Sequence, residues 1–169
     1  VILGGGSGGY AAALRGSQLG LSVALIEKDK LGGTCLHYGC IPTKALLHAA
    51  EVADATKESS AFGIRATFDG VDLPGVYSYR DGVVGRLYKG LQGLVKSRSV
   101  EFVQGTGRLT SATTVQVGDQ TYTASRAVVL ATGSYARSLP GLEIGGRVIT
   151  SYEALSLDYV PASAIVLGG

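Results

Sequence analysis

The stretch Val1-Ile2-Leu3-Gly4-Gly5-Gly6-Ser7-Gly8-Gly9, continued by YAAALRGSQLG (10–20) and LSVALIE (21–27), decides the fold class. Val1 to Leu3 read as the end of a buried strand, residues 4–9 as a glycine loop and residues 10–19 as a helix. Ala11, Ala12 and Ala13 are small enough to let that helix lie close against a sheet. Gly20 suits its C-terminal cap, and residues 21–27 form a second short apolar strand. Strand, glycine turn, helix and strand within about thirty residues make a βαβ unit, which implies a parallel sheet.

Within this unit Gly4-x-Gly6-x-x-Gly9 follows a strand and opens a helix. Gly4 permits the tight turn, Gly6 lets the backbone approach a pyrophosphate, and Gly9 allows close packing of helix on sheet. Free N–H groups and the dipole at the helix start favour the phosphates. Glu27 closes the second strand, where its carboxylate can accept hydrogen bonds from the 2′- and 3′-hydroxyls of an adenosine ribose and would repel a 2′-phosphate. It can also be read as an exposed strand-end charge beside Lys28 and Asp29. FAD and NAD share the adenosine and pyrophosphate, so the motif describes that end of a dinucleotide only.

Further along, Pro42 fits the first turn of a helix that continues over residues 43–56. A second helix is expected over about residues 73–95. Its apolar positions Val76, Tyr77, Val83, Val84, Leu87, Leu91, Leu94 and Val95 recur at spacings of three and four and form one buried stripe. Arg80, Arg86, Lys89 and Lys96 then fall largely on other faces. From Val100 the period changes to two: VEFVQ (100–104), TVQV (114–117) and TYT (121–123) read as an antiparallel meander over about residues 100–125. AVVLATG (127–133) reads as a continuous apolar strand returning to a buried parallel sheet. Residues 139–161, with two prolines and three glycines, read as a linker.

The composition narrows the function classes. Of 169 residues, 46% are hydrophobic and 17% charged, enough to bury a core. No run approaches the roughly 18 apolar residues of a membrane span, and a net charge of +2 with mixed signs offers no broad basic field for nucleic acid. These features point to a soluble cytoplasmic α/β protein. The chain lacks methionine, and ILGG at 2–5 is echoed by VLGG at 166–169. The expectation is a fragment of a longer protein, ending as a second glycine motif begins.

Only two cysteines are present, Cys35 and Cys40. Two thiols are too few for a secreted disulfide framework. They can be two buried apolar side chains, or a disulfide that opens to two thiols. Residues five apart in a regular helix have Cα atoms about 8.5 Å apart, whereas a disulfide tolerates roughly 4.4–6.8 Å. A bonded pair therefore needs a distorted turn, and Gly39 is where the backbone can deform. A thiol near a helix N-terminus would gain thiolate character. With only His37 and His48 to add nitrogen ligands, a metal site is not supported.

The segment GGTCLHYGCIPTK (32–44) resembles the redox-active disulfide segment of the class I pyridine nucleotide–disulfide oxidoreductases. The resemblance extends over the whole chain through the GGGSGG loop, Glu27, VVLATGS (128–134) and the second glycine motif. It implies an α/β fold: a Rossmann-like FAD-binding domain with a parallel sheet and an antiparallel meander insertion. This domain would cover residues 1–145, followed by a linker over 146–162 and the start of an NAD-binding domain over 163–169. It further implies that Cys35 is the interchange thiol and Cys40 the thiolate lying against the flavin, with Lys44 near the flavin N5. Gly4, Gly6, Ser7 and Gly9 would hold the FAD pyrophosphate, and Glu27, with Lys28 beside it, the ribose. Gly33, Thr34, Gly107, Thr132, Gly133 and Ser134 would supply further FAD contacts.

The ending IPTK is similar to that of the family members that oxidise protein-bound dihydrolipoamide with NAD⁺. That likeness implies an FAD- and NAD-dependent enzyme, a homodimer, and a lipoyl-bearing protein of a 2-oxoacid dehydrogenase complex as substrate. Members reducing glutathione disulfide or mercuric ion usually carry VPKK or VPSK there. A dinucleotide-binding module with structural or redox-sensing cysteines is the reading of another class. The family often has Asn where this chain has His37, and its acid–base His–Glu pair comes from a far C-terminal segment of the partner subunit. His37 is accordingly expected to be a solvated loop residue, and His48 a position on an amphipathic helix. Residues 1–169 alone are expected to bind FAD weakly and to lack turnover.

Overall fold

The computed structural model describes residues 1–168; Gly169, the last residue of the second glycine motif, lies outside them. Three short strands, β1 (Ile2–Leu3), β2 (Ala24–Glu27) and β3 (Glu101–Gln104), join β7 (Val129–Leu130) in a four-stranded parallel sheet of order β3-β2-β1-β7. A separate antiparallel sheet holds β4 (Gly107–Ser111), β5 (Thr114–Val117) and β6 (Gln120–Thr123). Helices α1 (Ser7–Gln18), α2 (Gly33–Tyr38), α3 (Cys40–Lys57), α4 (Leu73–Ser97) and α5 (Ser151–Ala154) complete the elements, with a 3₁₀ turn at Ser59–Phe62. The architecture is the α/β, Rossmann-like one expected, with its parallel sheet and antiparallel meander.

The core gathers Ile2, Ala13, Leu25, Leu31, Val95 and Val100, so β1, β2, α1 and α4 share one apolar interior. Leu25 and Ile26 are fully buried, each worth roughly 1.5–3 kcal/mol of apolar burial. Helix α1 ends where Gly20, at φ +78°, takes up the left-handed conformation. The Gly20 and Leu21 N–H groups then donate to the Ser17 and Gly16 carbonyls, the bond pair that closes a Schellman motif.

Several boundaries differ from expectation, each for a visible reason. Helix α1 starts at Ser7 rather than Tyr10, because the Tyr10 N–H already donates to the Gly6 carbonyl. Strand β2 starts at Ala24, since the Leu21 N–H is used in closing α1. VEFVQ does not belong to the meander: Glu101–Gln104 pairs in parallel with Ala24–Glu27. The meander's first strand is instead Gly107–Ser111, and the insertion spans 107–123. Strand β7 is an exposed edge rather than a buried strand, with Leu130 61% accessible.

On α4 the stripe runs through the half-buried Val76, Tyr77, Val83, Val84, Tyr88 and Leu91 to the buried Val95, while Leu87 and Leu94 stay exposed. Arg80 joins the stripe instead of another face. Its guanidinium lies over the Tyr77 ring, pairs with Asp81 at 2.7 Å and donates to the Leu155 carbonyl. The Tyr77 hydroxyl donates to the Leu157 carbonyl. The expected linker therefore contains α5, begun by a capping box of Thr150 and Glu153, and is strapped onto α4.

Candidate functional site

The site begins at the C-terminal ends of β1 and β2, the edge where doubly wound sheets bind ligands. Gly4 has φ +106°, and a Cβ there would strike the Ala131 carbonyl. A Cβ on Gly9 would overlap the Gly4 carbonyl, so α1 and the loop touch backbone to backbone. Gly6 lies against Gly33, where a Cβ would come within 2.6 Å of the Gly6 Cα. Helix α1 has no side-chain N-cap bond and no acidic residue in its first turn. The N–H groups of Ser7, Gly8 and Gly9 and the positive end of the dipole are left for an anion. A Cβ at Gly4 or Gly9 would collide with the backbone that shapes this cradle, and the donor set fits a pyrophosphate.

Glu27, half-buried at the end of β2, accepts the Gly5 N–H at 2.6 Å on one oxygen and the Asp29 N–H at 2.8 Å on the other. It is thus a structural anchor of the glycine loop and not merely an exposed charge beside Lys28. Each carboxylate oxygen still has acceptor capacity for a ribose hydroxyl. The Gly5 carbonyl in turn accepts the Gly32 N–H at 2.8 Å. Gly5 and Gly32 were not singled out by sequence, because a glycine beside a motif glycine carries no separate signal.

Thr34 and Cys35 sit on α2, only six residues long, and Cys40 is the first residue of α3. The break expected between the cysteines falls at Gly39, whose φ/ψ of −146°/−112° is non-helical. A Cβ there would come within 3.0 Å of the Thr34 carbonyl oxygen. The break brings the two thiols close enough for Cys40 to act on the ionisation of Cys35.

The Cys40 thiol's hydrogen bond, helped by burial and by Cys40's charge when ionised, pushes the Cys35 thiol above its usual pKa. The Cys40 backbone N–H and the Lys44 ammonium oppose that shift. The thiolate character expected from the helix N-terminus is therefore outweighed at Cys35 in this dithiol form. Lys44 is exposed on the first turns of α3.

Thr132, Gly133 and Ser134 follow β7 as exposed backbone beside the glycine loop, with Gly133 at φ +80°. Gly107 has a packing reason to lack a side chain: a Cβ would meet Leu3, Ile26 and Val115. His37 is not a solvated loop residue. It lies half-buried on α2, its Nε2–H donating to the Leu31 carbonyl at 2.9 Å and its ring edge-on to Tyr88. His48 is exposed on α3, 3.2 Å from Glu51. No described helix is long and apolar enough to cross a membrane.

A family model described as pyridine nucleotide-disulphide oxidoreductase matches residues 1–169. The chain is 42% identical to a dihydrolipoyl dehydrogenase of Bacillus subtilis (strain 168) over 182 residues, covering 100% of this chain and 38% of that protein. Mitochondrial dihydrolipoyl dehydrogenase 1 of Arabidopsis thaliana is 44% identical over 175 residues, covering 99% and 34%. A leghemoglobin reductase of Vigna unguiculata is 42% identical over 175 residues, with the same coverage of 99% and 34%. The chain thus spans little more than a third of the length of these relatives.

Proposed function

Because the chain belongs to the pyridine nucleotide-disulphide oxidoreductase family, we propose that it is the FAD site and redox dithiol of an enzyme that oxidises protein-bound dihydrolipoamide to lipoamide with NAD⁺. The observation that carries this reading is the pair of thiols brought together across the Gly39 break, beside a glycine cradle. The names of its relatives support the substrate. The proposed setting is a cytoplasmic homodimer acting on the lipoyl-bearing protein of a 2-oxoacid dehydrogenase complex. Residues 1–145 would be the FAD domain, 146–162 the linker and 163–169 the beginning of the NAD domain.

In the oxidised state a substrate thiolate attacks the Cys35 sulfur, and the Cys35–Cys40 bond breaks with Cys40 as leaving thiolate. The second substrate thiol then displaces Cys35, forming the lipoamide disulfide. Two electrons and two protons pass from substrate to the pair, leaving both cysteines as thiols. Exchange of this kind proceeds by thiolate attack on a disulfide sulfur, and Cys40, exposed as the first residue of α3, is the sulfur displaced. FAD, when bound, accepts the electron pair and supplies hydride to NAD⁺. The α1 N–H groups and Gly6 would hold its pyrophosphate, and Glu27 its ribose, with Lys28 alongside. Gly33, Thr34, Gly107 and residues 132–134 would line its path, and Lys44 would approach its ring.

The test is anaerobic titration of the whole protein with dihydrolipoamide. The expected result is a long-wavelength thiolate–flavin absorbance at two electrons, abolished by Cys40→Ser. Cys35→Ser should keep a thiolate near the flavin yet stop turnover; the reverse pattern would exchange the two sulfur roles. A flavin spectrum indifferent to cysteine reduction would overturn the proposal. Glutathione disulfide and mercuric ion, offered in the same assay, should turn over poorly.

A further inference from the structure

His37 lies between the cysteines in sequence, yet on α2 it is two residues from Cys35, about 200° around the helix. Its hydrogen bond reaches back six residues to Leu31, which is 2% exposed and part of the core. A carbonyl only accepts, so the imidazole must carry its proton on Nε2. Tyr88 of α4 backs the ring at 5.0 Å between centroids, tilted 76°. Its other side borders a pocket of about 300 Å³ shared with Lys30, Asp81 and Val84.

Helix α2 is short and weakly terminated. It has six residues, no side-chain cap bond, and a non-helical glycine at each end, Gly32 at φ +113° and Gly39. Its N-terminal end is pinned by Gly33 against Gly6 and by the Gly32 N–H on the Gly5 carbonyl. Near its C-terminal end, buried Leu36, the Tyr38 hydroxyl donating to Asp29 at 3.4 Å and the Tyr38 ring on Tyr152 join the His37 bond to Leu31, the restraint that reaches the core backbone.

We infer that His37 is a positioning residue for the Cys35–Cys40 couple, tying α2 to the Leu31 carbonyl so that the two sulfurs are held at bonding range. This inference rests on the redox-dithiol reading above and deepens it. Two free thiols tolerate a range of separations, whereas a disulfide accepts only a narrow one. Loosening α2 therefore weakens the disulfide more than the dithiol. In exchange with dithiothreitol, the protein S–S bond breaks as the S–S bond of the cyclic reagent forms, and the equilibrium reads this difference directly.

The experiment is an anaerobic dithiothreitol redox titration of the whole protein, quenched by alkylation, with the Cys35–Cys40 disulfide quantified by mass spectrometry. Losing one hydrogen bond of ordinary strength should make His37→Leu about three- to tenfold easier to reduce, and a tenfold change is about 30 mV for two electrons. His37→Gln, whose amide N–H has a reach similar to imidazole Nε2, should return to within about twofold of wild type. His48→Leu should not shift. Should His37→Leu not fold, His37→Ser, too short to reach Leu31, makes the same comparison. A folded variant lacking the donor that titrates with wild type, or a His37→Gln protein as shifted as His37→Leu, overturns the role given to His37. A wild-type protein whose two cysteines never bond to each other overturns the disulfide reading itself.

Discussion

Gly8 and Gly9 are neighbours in the first turn of α1, and substituting each with alanine should have opposite effects. A Cβ on Gly8 meets nothing within 4 Å, whereas one on Gly9 would stand 2.9 Å from the Gly4 carbonyl carbon and closer still to its oxygen. Neither glycine has a left-handed φ, so both variants gain the helical preference of alanine, up to about 1 kcal/mol. That gain cancels between them, and the difference is the clash. With the Cβ 1.8 Å from the Gly4 oxygen, α1 and the loop must move apart by more than about 1 Å, and the obstacle is backbone that cannot rotate away. It also lifts the fully buried Ala13 from the sheet.

Overpacking of this kind costs about 1–3 kcal/mol, which for a domain of this size is a gap of roughly 2–12 °C in Tm. Thermal unfolding followed by circular dichroism should show Gly8→Ala at or above wild type and Gly9→Ala below both. Equal melting temperatures for the two variants would refute the claim that α1 rests directly on the glycine loop.

Glu27→Gln replaces an acceptor of two backbone N–H groups with a side chain that turns a donor toward one of them. Charge-assisted bonds of about 1.5–3 kcal/mol imply at least about tenfold weaker FAD binding, measured by flavin fluorescence. Because the neighbouring Cys40 thiol raises the Cys35 pKa, iodoacetamide alkylation of Cys35 in the reduced protein should still be accelerating at pH 9. Lys44→Ala removes a charge that favours the thiolate, so its profile should move to higher pH and its rate at pH 8 should fall; a faster rate would contradict the assignment. Arg80→Ala removes the cation that holds the Leu155 carbonyl. Amide exchange in residues 150–157 should accelerate about tenfold, as expected for a hydrogen bond to a charged group, with the β1–β2 amides unaffected.

The features legible in sequence are those whose geometry admits few residue types. Gly4 and Gly9 could be read because close backbone approach excludes any side chain, and those are the contacts found, whereas a Cβ on Gly6 would meet only Gly33 at an ordinary 3.9 Å. The break at Gly39 was legible because a regular helix cannot place two cysteines five apart within disulfide reach. Non-local choices were not legible. VEFVQ has the composition of the meander strands, and only its pairing with Ala24–Glu27, 77 residues earlier, assigns it to the parallel sheet. Arg80 looks like a solvent-facing charge until residues 155 and 157 return to α4. His37 donates to a main-chain oxygen, and a backbone acceptor leaves no trace in residue identity.

The strand order β3-β2-β1-β7 also constrains how the chain is made. Ile2–Leu3 pairs on one side with Leu25–Ile26 and on the other with Val129–Leu130. During synthesis the first partner emerges soon after β1, and the second only about a hundred residues later. At about 5–20 residues per second, one edge of β1 stays open for roughly 5–20 s. An unpaired central strand invites pairing with another chain, so the interval before β7 arrives is when the nascent sheet is most open to it.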